Sequence, residues 1–112
     1  SAVASLIAGN GRYVSGQPRP SRSTGMSHRE ILERGQAPKI AVLSCADMRA
    51  SVETIFDMDA GDIFTVQVLG HVLGDASLAS LEHACKDLGT GTIVVLGHSG
   101  CGAVAACCAD QA

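Results

Sequence analysis

Three short apolar runs recur along the chain: KIAVLS (39–44), IFTVQV (63–68) and TIVVLG (92–97). Their length suits strands, and the first, with no polar interruption until its end, suits a strand buried on both faces. Helical periodicity fills the intervals. ASLASLEHACKDLG (76–89) carries Leu78, Leu81, Cys85 and Leu88 at 3-4-3 spacing, with a terminal glycine, and predicts an amphipathic helix with Cys85 in the core. Val3, Leu6, Ile7, Asn10, Tyr13 and Val14 share one face of a predicted N-terminal helix. Gly9 and Gly11 weaken that helix by about 1 kcal/mol each. GQPRPSRSTG (16–25) reads as an arm, and SHRE (27–30) as a capping box opening a short helix that ends at Gly35. A further short helix is expected over 51–57, a turn at 61–62, and a small-residue helix beginning near Ser99.

Alternation of strand and helix predicts an α/β domain with a parallel sheet flanked by helices. Residues 1–112 form one domain on this reading, with 1–26 as N-terminal helix and arm and 27–112 as the core. In such sheets the functional crevice lies beyond the carboxyl ends of the strands, where the strand order reverses. The first strand runs into SCADMRA (44–50), offering Cys45, Asp47 and Arg49. The third runs into His98 and Cys101, whereas the second ends in VLGHV (68–72), with His71 and no thiol. For Cys45, His98 and Cys101 to share one ion, the first and third strands must be neighbours, so the order is 2-1-3. Two thiolates and an imidazole suit zinc, and three protein ligands leave a position for water. A helix opening at Ser99 would direct free N–H groups toward Cys101. His28, His71 and His83 are expected at the surface or in packing, and Cys107 and Cys108 in helix packing.

Composition narrows the classes. The net charge of −3 gives no electrostatic reason to expect nucleic acid, and no basic block suggests an anionic membrane. No apolar stretch approaches the roughly 18 residues of a bilayer span, and SAVASLIAG lacks the basic flank of a signal peptide. Five cysteines without regular spacing fit reduced thiols in the cytoplasm better than a disulfide framework.

Cys45-Ala-Asp47-Met-Arg49, followed some fifty residues later by His98-Ser-Gly-Cys101-Gly-Ala, resembles the paired fingerprints of the β-class carbonic anhydrases, Cys-x-Asp-x-Arg and His-x-x-Cys. GQAPK (35–39) and GDIFTV (61–66) are similar to that family as well, and the resemblance extends from about residue 28 to 106. It implies zinc held by Cys45, His98 and Cys101, with Asp47 and Arg49 as a paired dyad. Gln36 matches a glutamine that reaches the active site across a dimer interface, and Phe64 an aromatic wall of the pocket. The implied reaction is the reversible hydration of carbon dioxide to bicarbonate and a proton by zinc-bound hydroxide, in a homodimer or larger homo-oligomer clasped by the N-terminal helix and arm. Zinc brings the pKa of bound water toward neutrality. Two thiolates weaken that effect, which Arg49 would offset by holding Asp47 ionised. In some members of the family the aspartate swings onto zinc, making Asp47 a fourth ligand in a closed site.

The sequence also departs from the family. Ala46 and Met48 stand where serine is usual, and Gln67-Val-Leu-Gly-His71 stands where Arg-Asn-Ala-Gly-Asn is common. His83 replaces a frequent tyrosine, so a proton-moving role and that of an exposed helix histidine are both open. The family's domain continues through a long helix and two further strands, so the core at 27–112 is expected to be incomplete, with strand 3 an open edge. The competing functions are a hydrolase of carbon disulfide-like substrates and a non-catalytic zinc- or bicarbonate-binding module.

Overall fold

The computed structural model describes residues 1–20, 29–30, 32–33 and 35–110. Ser27 of the expected capping box, and His28, lie outside the described residues. Strands β1 (Ile40–Ser44), β2 (Ile63–Gln67) and β3 (Thr92–Leu96) form one parallel sheet in the order β2-β1-β3. The central strand is buried along its whole length, as an unbroken apolar run requires. In register, Ser44 stands between Gln67 and Leu96, so all three strands deliver their carboxyl ends to one edge.

Side-chain alternation along β1 divides the core into two layers. Ile40 and Val42 join Leu6, Val52 and Ile63 on one face, beneath helices α1 (Ala2–Val14) and α2 (Val52–Ile55). Ala41 and Leu43 join Val66, Leu81 and Ala84 on the other, beneath α3 (Asp75–Asp87). β3 is an edge strand, and its Ile93 and Val95 remain 47% and 66% exposed because α3 packs over β1 and β2 instead.

Two helices sit differently from expectation. In α3 the buried positions are Ser77, Leu81 and Ala84, while Leu78 and Cys85 face outward; the expected core role of Cys85 is therefore corrected. Ser77 fixes this rotation. Its Oγ donates to Val72 O at 2.8 Å and accepts from Gly74 N–H at 2.9 Å, so a polar residue takes the inward place at the start of the helix. In α1, Leu6 and Gly9 face the core, whereas Val3, Ile7 and Val14 are exposed.

Gly9 is a contact point as well as a weak helix former. A Cβ there would stand 1.8 Å from Phe56 O, so only glycine lets α1 approach the end of α2. Around it, Asn10 Nδ2 donates to Ile55 O at 3.1 Å. The Arg12 guanidinium pairs with Asp57, and Arg19 N–H donates to the same carboxylate at 3.0 Å. The arm up to residue 20 is thus tied to its own core.

The last helix, α4 (Gly102–Asp110), starts three residues later than expected, after a turn in which Gly100 takes φ +67°. Cys107 and Cys108 on it are exposed, not packed. No helix among the described residues is long and apolar enough to cross a membrane.

Candidate metal centre

The sheet edge explains why distant residues meet. Cys45 follows the last residue of β1, and His98 lies two residues beyond β3, which is hydrogen-bonded directly to β1. Cys101 then stands immediately before α4, where its carbonyl accepts the Ala105 N–H at 2.9 Å. Cys45 Sγ and Cys101 Sγ are 3.6 Å apart across 56 residues of sequence. One donor atom from each of Cys45, His98 and Cys101 lies within 4.8 Å of the others.

The donor set fits a metal ion. His98 Nδ1–H donates to Ser99 O at 2.9 Å, which in the neutral ring leaves the lone pair on Nε2. That Nε2 is buried without a hydrogen-bond partner. Burial pushes the Cys45 thiol up, but the Gly70 N–H, His98, the Asp47 N–H and Cys101 outweigh it and bring its pKa down to about 6. Its interaction with Cys45 raises the His98 pKa in return, against burial, helped by the Ser99 carbonyl and the charges of Cys45 and Asp47. The residues therefore share a proton-poor sulfur and a nitrogen held beside it, an arrangement in which a cation replaces the proton. Two sulfurs and one imidazole nitrogen are the ligand chemistry of zinc.

Asp47 and Arg49 are exposed and line one cleft of about 450 Å³ with Met48, Ala50, His98, Ser99 and Gly100. The expected bidentate pair between them is not formed among the described residues. Asp47 Oδ2 instead accepts the Gly102 N–H at 3.0 Å, capping α4 from across the site. The late start of α4 is the reason: its first free N–H meets this carboxylate, and Cys101 precedes the helix.

Gln36 and Phe64 do not line this cleft. Gln36 is exposed in the segment before β1, at the opposite end of a strand spanning roughly 15 Å. Phe64 is paired with Ala41 on the α3 face, its ring centroid 6.2 Å from that of His83. His83 is exposed and bonded through Nδ1 to Asp87 Oδ2 at 2.8 Å.

One neighbour of the site, Gly70, was not singled out by sequence reasoning, and another, His71, was expected at the surface or in packing. Gly70, in the 3-10 turn Leu69–His71, donates its N–H to Cys45 Sγ at 3.1 Å. His71 follows with φ +56°, its ring centroid 6.5 Å from that of His98 and its Nε2 buried without a partner. The Gly-His pair after strand 2 was the available signal, but nothing local says that a turn there folds back over β1.

A parallel sheet whose carboxyl edge carries a Cys-His-Cys cluster able to hold a metal ion defines an α/β protein with a candidate metal site. A family profile described as carbonic anhydrase matches residues 40–112. "Carbonic anhydrase 2" of Mycobacterium tuberculosis is 47% identical over 100 residues, covering 88% of this chain and 47% of that protein. Among solved structures, one of the tetrameric β-carbonic anhydrases of Sordaria macrospora matches with TM-score 0.63 and 35% identity, over 67% of this chain and 40% of that one. The β-carbonic anhydrase CafA of Aspergillus fumigatus matches with TM-score 0.65 and 29% identity, over 95% of this chain and 50% of that one. The chain belongs to the β-carbonic anhydrase family, and it spans about half the length of the curated relatives it matches.

Proposed function

We propose that this chain carries the zinc site of an enzyme for the reversible hydration of carbon dioxide to bicarbonate and a proton, with Cys45, His98 and Cys101 as the metal ligands. The single observation that carries the reading is the convergence of the three donor atoms within 4.8 Å, with His98 Nε2 buried and unpartnered. Membership of a family that uses zinc in general supports the same reading. When bound, zinc would supply the positive charge that acidifies a neighbouring water, which an uncharged and weakly electrophilic substrate requires.

The protein's own groups divide the remaining work. Asp47 keeps one oxygen on the Gly102 N–H, while the other has no protein partner among the described residues. That second oxygen is suited to accept a hydrogen bond from water and fix its orientation. Arg49, in the same cleft, supplies positive charge toward Asp47 and toward a bicarbonate anion. Gln36 as an amide donor and Phe64 as an apolar wall lie away from the cleft of their own chain, so this reading takes them from a partner copy.

A homo-oligomer follows from that assignment. The exposed stripe of Val3, Ile7 and Val14 is an apolar surface available to such an assembly. A matched relative is described as tetrameric. The test is metal content by elemental analysis together with stopped-flow carbon dioxide hydration on the same sample. One zinc per chain with hydration activity is expected; zinc without activity refutes the catalytic assignment, and absence of zinc refutes the site.

A further inference from the structure

The two sulfurs of the cluster are treated unequally by the backbone. Buried Cys45 Sγ receives the Gly70 N–H at 3.1 Å and the Asp47 N–H at 3.4 Å. Cys101 Sγ receives no backbone donor among the described residues, and its one hydrogen-bonding contact is Cys45 Sγ. The Asp47 donor is local to Cys45. The Gly70 donor arrives from 25 residues away, through a built path.

Beyond β2, Val68 N–H donates to Ser44 O at 3.0 Å and Ala46 N–H donates to Val68 O at 3.3 Å, extending the ladder past the last strand residue. Gly70, whose N–H meets the sulfur, takes φ +69°, where an L side chain is strained. A Cβ at Gly70 would lie 3.2 Å from Ala103 Cβ in the first turn of α4. The turn is thus wedged between one thiol and the helix that follows the other.

We propose that Gly70 is a positioning residue of the metal centre: its backbone N–H takes up part of the Cys45 thiolate charge, so that Cys45 donates less to the bound ion than Cys101 does. The inference rests on the zinc reading above. A hydrogen bond to an ionised acceptor is about twice as strong as a neutral one, and donors around a ligating sulfur tune the metal it holds. The donor therefore offsets the excess charge that two thiolates bring to the ion, and leaves the ion more electrophilic.

The test uses the unaltered protein, isotope-labelled and loaded with a spin-active cadmium isotope. Proton–cadmium correlations to the β-protons of Cys45 and Cys101 and the ring protons of His98 report the ligands. A correlation to the Gly70 amide proton, transmitted through the sulfur, is expected in addition. Ligand correlations without the Gly70 signal overturn this inference alone; missing ligand correlations overturn the metal reading beneath it.

A second measurement uses a synthetic chain in which an ester replaces the Gly70 amide, removing the donor while leaving the residue without a side chain. In its cobalt form the sulfur-to-metal charge-transfer band is expected at lower energy. Alkylation of metal-bound Cys45 by iodoacetamide is expected to rise roughly tenfold, with Cys101 unchanged. An unmoved band and an unchanged Cys45 rate in a folded, metal-loaded ester chain overturn the proposal. Should that chain fail to fold, the cadmium correlation decides.

Discussion

Gly9→Ala tests the packing of the N-terminal helix most directly, because helix propensity and tertiary contact predict opposite signs. In an isolated helix the substitution stabilises by about 1 kcal/mol. Here the new Cβ would stand 1.8 Å from Phe56 O, far inside the 3.4 Å at which ordinary contact begins, and the obstacle is backbone that cannot rotate away. Helix α1 must therefore lift from α2. Lifting exposes Leu6, now 4% exposed, at a cost of about 1.5–3 kcal/mol. It also breaks the Asn10–Ile55 hydrogen bond, worth about 1 kcal/mol. Less the helix-propensity gain, the net expectation is a loss of roughly 1.5–3 kcal/mol, and at a urea slope of about 1–2 kcal/mol per molar the midpoint falls by roughly 1–3 M. Gly11→Ala is the control: nothing lies within 4 Å of its Cβ position, so it gains up to about 1 kcal/mol. Urea denaturation followed by far-ultraviolet circular dichroism reads both. A Gly9→Ala midpoint equal to or above that of Gly11→Ala would refute the reasoning.

Three further outcomes are expected. Asp47→Asn should retain zinc by elemental analysis but lose roughly a hundredfold or more of hydration activity in stopped flow, on the magnitude usual for a positioned acid–base group; wild-type turnover would remove Asp47 from the mechanism. Chelation of the metal, or Cys45→Ser, should lower the melting temperature. An ion present at a hundred times its dissociation constant stabilises the native state by about 2.7 kcal/mol, and a melting curve indifferent to chelator would argue against the site. The Asp57 pKa is lowered by the Arg19 N–H first and then by Arg12, so the stability it contributes is complete above the unfolded value of about 3.9 and is lost as pH falls through the lower folded value. Asp57→Asn should destabilise near neutrality and flatten the acid limb of a stability-versus-pH curve; parallel curves for variant and wild type would contradict the linkage.

Much of this protein is written in its local pattern. The apolar runs at 39–44, 63–68 and 92–97 became β1, β2 and β3 within a residue or two, because burial on a sheet selects side chains that short windows reveal. The order 2-1-3 was also legible. Cys45 and His98 follow the first and third runs, and ligands for one ion bring their strands together, as the observed order has them.

Tertiary structure decided what depends on the mutual placement of distant segments. The inward face of α3 was set by Ser77 locking onto Val72 and Gly74, so Leu78 and Cys85 point outward despite their spacing. Gly9 looked like a helix defect until Phe56 O lay against it. The Asp47 carboxylate went to the Gly102 N–H and not to Arg49, because α4 begins only at Gly102. The Gly70 donor to Cys45 Sγ was invisible for the same reason. Side-chain identity records which surfaces are apolar and which atoms can bind a metal. Every residue but proline carries the same backbone N–H, so where that donor points is settled only when the chain has folded.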